Sequence, residues 1–186
     1  KISVVGLGYV GLPLSLQFSQ SGVSVLGFDL DSAKVDAINS GKSYLKHFSS
    51  ESISEQVQAA RFEATTDPAR VSEVEAILIC VPTPLDDHRE PDLSFVLDTA
   101  RSLAPHLPKG VLVTLESTTY PGTTEEELRF VLEEGSGMKA GTDFHLAYSP
   151  EREDPGRQDA SVKTIPKVLG GYTSACADLA EALYGQ

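Results

Sequence analysis

The chain has 186 residues, the length of one ordinary α/β domain, with 40% hydrophobic residues and no tryptophan. Its 27 acidic and 15 basic side chains leave a formal charge of -12, which repels phosphate backbones and argues against a nucleic-acid partner. No apolar run approaches the roughly 18 residues of a membrane span, and no secretory pattern opens the chain, so a cytoplasmic protein without a membrane partner is expected.

KISVVG at 1–6 reads as a strand stopped by glycine, and a core strand at the first residue suggests a short leader ahead of it. YVGLPLSLQFSQSG then has helical character, with Val10, Leu14 and Phe18 recurring every four residues. SVLGFD at 24–29 is a second strand ending in an acid, and 31–41 is a short helix with Val35 and Ile38 inward, stopped by Gly41. A helix over 51–60, a short strand FEATTD and the apolar run EAILICV at 75–81 follow. Such an unbroken run suits a central strand covered on both faces. Asp92 stands as an N-cap before the amphipathic helix of Leu93, Val96, Leu97, Ala100, Leu103 and Ala104. VLVTLES at 111–117 is a strand, and Thr123 with Glu126 has capping-box spacing before Leu128, Val131 and Leu132. FHLAYSP at 144–150 and KVLGG at 167–171 are the last strands, and 173–184 is a final helix. Strands alternating with helices at this spacing predict an α/β, Rossmann-like three-layer fold with a mostly parallel sheet.

Chemistry concentrates where strands end. Gly6-Leu7-Gly8-Tyr9-Val10-Gly11 is a G-x-G-x-x-G stretch that closes a strand and opens a helix. There Gly6 makes a tight turn, Gly8 admits a pyrophosphate, and Gly11 lets the helix pack closely. Helix N–H groups without internal partners would meet the phosphates. Asp29, 21 residues beyond Gly8, can accept hydrogen bonds from ribose hydroxyls and would repel a 2′-phosphate, favouring NAD over NADP. Lys34 could reach the same ribose edge or be a plain surface lysine. Cys80 lies inside an apolar run and reads as a small buried hydrophobe. Thr118 and Glu151 both follow strand ends, where they could hold a water, move a proton or merely cap a helix. The two cysteines and four scattered histidines offer neither a disulfide framework nor a metal site. Polar stretches at 82–92 and 150–166, long for a compact domain, are further site candidates.

Five segments in order carry a resemblance: VVGLGYVGLPL at 4–14, CVPTPL at 80–85, ESTTYPGTTEE at 116–126, YSPEREDPG at 148–156 and IPKVLGG at 165–171. Together they resemble the UDP-glucose/GDP-mannose dehydrogenase family, whose enzymes oxidise a sugar C6 alcohol to a carboxylate by two NAD-dependent hydride transfers. The resemblance implies that residues 1–186 are the NAD-binding domain. A connecting helix, a homo-oligomer contact and a C-terminal UDP-sugar-binding domain with the nucleophilic cysteine would lie outside them, so this part alone is expected to be inactive. It further implies that Gly6, Gly8 and Gly11 meet the pyrophosphate with Tyr9 and Val10 also binding the cofactor, that Asp29 and Lys34 meet the ribose, and that Thr83 lines the cofactor. Thr118 would orient a water beside the cofactor, and Glu151 would be the glutamate of the S-P-E segment. PLDDHREPDLS and EREDPG look most like the UDP-N-acetylglucosamine branch, with UDP-N-acetylmannosamine and UDP-glucose enzymes as alternatives. Pro155 stands where the UDP-glucose branch has a second glutamate. A non-catalytic NAD-sensing module and a hydroxyacid or sugar-phosphate dehydrogenase with a helical second domain are the competing classes.

Overall fold

Short, mostly apolar runs, the central ones buried on both faces, form a seven-stranded sheet in this computed structural model, which describes residues 1–46, 48–85, 89–150 and 167–185. Six strands are parallel: β1 (Ile2–Val5), β2 (Val25–Phe28), β3 (Phe62–Thr65), β4 (Ala76–Ile79), β5 (Leu112–Leu115) and β6 (His145–Tyr148). The two-residue β7 (Gly170–Gly171) pairs antiparallel with β6, and the order is β3-β2-β1-β4-β5-β6-β7. The expected mostly parallel Rossmann-like sheet is the fold found.

One face of the sheet is covered by α1 (Gly11–Gln20), α2 (Ser32–Asn39), α3 (Ser50–Gln58) and α6 (Ser174–Tyr184). The other carries α4 (Ser94–Leu103) and α5 (Arg129–Ser136). Alternation along β4 shows the division: Ile77 and Ile79 join the α4 side, while Ala76, Leu78 and Cys80 join the α1 side. The deepest face of α1 is Leu12 and Leu16, whereas Val10 and Leu14 of the expected stripe are only partly buried.

Local differences from the sequence expectations have physical reasons. Asp92 accepts the Ser94 N–H at 2.8 Å, so its carboxylate caps the first turn although α4 starts one residue later than expected. That hydrogen bond from Ser94 also lowers the Asp92 pKa. The Thr123–Glu126 capping box does not form. Gly122 turns with φ 99°, the buried Thr123 hydroxyl donates to the Tyr120 carbonyl at 2.9 Å, and Thr123–Leu128 is a π-helical segment leading into α5. KVLGG keeps only its two glycines as strand. At the opposite edge of the sheet, the Asn39 carboxamide donates to the Ala64 carbonyl at 2.9 Å and accepts the Ala64 N–H at 2.8 Å, standing where a neighbouring strand would be.

Candidate functional site

The chain leaves β1 toward α1 on one face and leaves β4 toward α4 on the other, so a crevice opens beyond the carboxyl ends of these neighbouring strands. The Gly6–Gly11 turn forms one wall. Gly6 has φ 90°, and a Cβ there would lie 2.9 Å from the Cys80 carbonyl oxygen. A Cβ on Gly8 would meet nothing within 4 Å, so this residue borders open space. Val10 precedes α1 with no side chain capping the helix, the Leu12 N–H donates to the Gly8 carbonyl at 3.1 Å, and Tyr9 is exposed.

Asp29 closes the outer end of the turn. Its carboxylate is only 9% exposed and accepts the Leu7 N–H at 2.8 Å, the Asp31 N–H at 2.9 Å and the Lys34 ammonium at 3.0 Å. A carboxylate has about four acceptor positions, so one remains for an incoming hydroxyl. Lys34 is thus held beside Asp29 and is not a free surface lysine.

At the inner end, the tips of β4 and β5 are tied together. The Thr83 hydroxyl donates to the Thr118 carbonyl at 2.7 Å, and the Ser117 hydroxyl donates to the Val81 carbonyl at 2.6 Å. A cavity of about 180 Å³ lies among Val10, Cys80, Val81, Thr83, Ser117 and Thr118. The structure therefore brings Val10, Thr83 and Thr118 together and puts Asp29 and Lys34 at the far side of the same turn. Glu151, with most of the 150–166 stretch, lies outside the described residues.

Cys80 is buried on β4's exit, as a core residue that also borders the cavity. Cys176 is buried in α6, its sulfur 3.6 Å from His145 Nδ1. Among the described residues no cluster of His, Cys, Asp and Glu could hold a metal ion. No helix among them is long and apolar enough to cross a membrane.

Sequence reasoning missed a charged group at the inner end. Glu116, 1% exposed, follows β5 directly and also lines the cavity. Lys167 pairs with it at 2.8 Å, the Tyr184 hydroxyl donates to it, and the Lys167 ammonium stands 4.6 Å from the Tyr184 ring centre. An acid at the end of an otherwise apolar strand was the available signal, since a carboxylate there needs a partner once α6 covers it.

Residues 1–186 match the profile of the UDP-glucose/GDP-mannose dehydrogenase family, NAD binding domain. The chain is 37% identical over 184 residues to a UDP-N-acetyl-D-glucosamine 6-dehydrogenase of Pseudomonas aeruginosa, covering 99% of this chain and 43% of that protein. It is 38% identical to a UDP-N-acetyl-D-mannosamine dehydrogenase of Escherichia coli K12, covering 98% of this chain and 44% of the relative. Among solved structures, an NDP-N-acetyl-D-galactosaminuronic acid dehydrogenase of Methanosarcina mazei Go1 superposes with TM-score 0.91 at 38% identity, covering 99% of this chain and 41% of the other. The chain thus spans less than half the length of these relatives.

Proposed function

The chain belongs to the UDP-glucose/GDP-mannose dehydrogenase family as its NAD-binding domain, and on that premise we propose that the protein carrying it is a UDP-N-acetylglucosamine 6-dehydrogenase. The observation that carries the proposal is the crevice itself: an uncapped helix behind an open Gly8, a fixed carboxylate at one end and paired threonines at the other. An extended dinucleotide fits this arrangement, with its diphosphate at the turn. NAD supplies the hydride acceptor when bound.

In this reading Gly6, Gly8, Tyr9, Val10 and Gly11 present backbone to the diphosphate. Asp29 offers its remaining acceptor position to a ribose hydroxyl, and Lys34 offers a donor beside it. Thr83 and Thr118 border the nicotinamide end, where the Thr118 side chain, exposed at the tip of β5, can hold a water. Glu151 is proposed as the proton-transferring carboxylate. The sugar, its uridine diphosphate and the attacking thiolate are assigned to a second domain, and the assembled enzyme is proposed to be a homo-oligomer. Names of both curated relatives support an N-acetylated hexosamine.

The test is NADH formation by the whole protein with UDP-N-acetylglucosamine, UDP-N-acetylmannosamine and UDP-glucose offered separately. Two NADH per glucosamine sugar with the other two turned over more slowly is the expected result. Preference for UDP-glucose would reject the branch, and turnover of none of them would reject the dehydrogenase reading. Residues 1–186 produced alone should bind NAD and form no NADH, because the wall that brings C6 within hydride distance belongs to the other domain.

A further inference from the structure

The segment between α2 and α3 sends Tyr44 back under the glycine turn, where its hydroxyl donates to the Leu7 carbonyl at 2.5 Å. The Leu7 N–H, on the preceding peptide, donates to Asp29 at 2.8 Å. The Leu7 side chain is fully buried and wedged against Gly27, where an added Cβ would come within 2.9 Å of both its methyl groups. Leu7 is thereby held by its N–H, its C=O and its side chain at once.

Those contacts matter because of what the next peptide carries. The Leu7 carbonyl and the Gly8 N–H belong to one planar trans unit, so fixing the direction of the first fixes the opposite direction of the second. Gly8, without a Cβ, would otherwise let that plane rotate among several orientations. We propose that Tyr44 is a positioning residue for the diphosphate-binding turn, holding the Leu7–Gly8 peptide so that the Gly8 N–H faces the crevice before any cofactor arrives. Preformed donors bind an anion without the ordering cost that a free loop carries. Burial, with the Asp29 and Asp31 carboxylates nearby, raises the Tyr44 phenol well above its ordinary range, so it remains a proton donor throughout the physiological window.

The proposal rests on the assignment of the Gly6–Gly11 turn to the cofactor diphosphate. Tyr44→Phe in the full chain tests it, since the ring stays and only the donated hydrogen bond goes. Calorimetric titration with NAD and ADP, and competition NMR with adenosine, give the readout. NAD and ADP should weaken by roughly fivefold, the scale of one lost hydrogen bond. Adenosine, which has no phosphate, should change less than about twofold on the same scale. Unchanged NAD affinity would overturn the proposal. So would an equal loss for all three ligands, which marks general loosening and not a phosphate effect. Gly8→Val, measured beside it, separates the two layers of the argument. If Gly8→Val binds NAD normally, the turn is not the diphosphate site and both ideas fall. If Gly8→Val is impaired while Tyr44→Phe binds normally, only the role of Tyr44 falls.

Discussion

A Cβ placed on Gly11 would sit 1.9 Å from the carbonyl oxygen of Gly6, so these two glycines meet backbone to backbone where β1 turns into α1. Gly8, two residues from Gly6, has nothing within 4 Å of the same construction. Glycines of one short motif therefore fail in different ways. Gly11→Ala must push α1 off the sheet, at a cost of about 3 kcal/mol, and its thermal midpoint should fall accordingly. Gly8→Val should keep the midpoint within about 2 °C and lose at least about tenfold in NAD affinity. Paired melting and titration curves check this, and a stable Gly11→Ala would contradict the packing argument.

In the proposed reading Asp29 sets the choice of cofactor through two neighbours. Asp29→Ala removes the ribose acceptor and the ordered ending of the Leu7 N–H, so NAD should weaken by roughly tenfold or more. The same change releases Lys34, now paired at 3.0 Å, to meet a 2′-phosphate. NADP should therefore hold or improve, and the gap between the cofactors should narrow. Titration of both cofactors decides; a uniform loss would separate Asp29 from the ribose.

Cys80→Ser should bind NAD as the parent does. The side chain is buried on β4's exit among α1-side residues, and a hydroxyl there costs about 1–3 kcal/mol when its hydrogen bonding is incomplete. A folded Cys80→Ser that had lost NAD binding would assign the sulfur a functional part.

Most of the architecture was legible because its signals are local. The apolar runs 2–5 and 76–79, the glycine stop after β1 and the acid after β2 each follow from what a parallel strand buries and what a tight turn permits. What escaped depended on partners far along the chain. Tyr44 meets Leu7 across 37 residues and Lys167 meets Glu116 across 51, and no periodicity encodes such pairings. Thr123 and Glu126 had capping spacing, yet the positive φ of Gly122 aims the threonine hydroxyl backward to Tyr120. Spacing alone does not contain that turn. Thr83 and Thr118 were singled out separately, and the contact that joins them is visible only in three dimensions.

Acid should weaken a charge cluster at the amino ends of the strands. Arg70 holds Glu63 through two contacts of 2.9 and 3.1 Å and Glu73 through 2.7 and 3.0 Å, and Lys1 Nζ reaches both carboxylates. Hydrogen bonding to Arg70 lowers the Glu63 pKa and takes Glu73 from 4.5 down to about 2. Carboxylates depressed in the folded state stabilise above their unfolded pKa, and this help fades as pH falls from about 4.5 toward about 2. The midpoint advantage of the parent over Arg70→Met should shrink across that window. It should also shrink in high salt at neutral pH, since the groups are partly exposed. An advantage independent of pH would place the effect of Arg70 in its packing.

Both margins of the sheet are finished in ways that bear on solubility. A strand with unused N–H and C=O groups can template another molecule's strand and seed fibrils. On the β3 side the Asn39 carboxamide occupies both outward groups of Ala64. On the other side β7, the outermost strand among the described residues, is two residues long, too short to seat an added strand. Replacing Asn39 with leucine would reopen the first margin without touching the crevice. The consequence belongs to the handling of concentrated protein and not to its chemistry, with β-rich aggregate accumulating while the protein still in solution keeps its affinity for NAD.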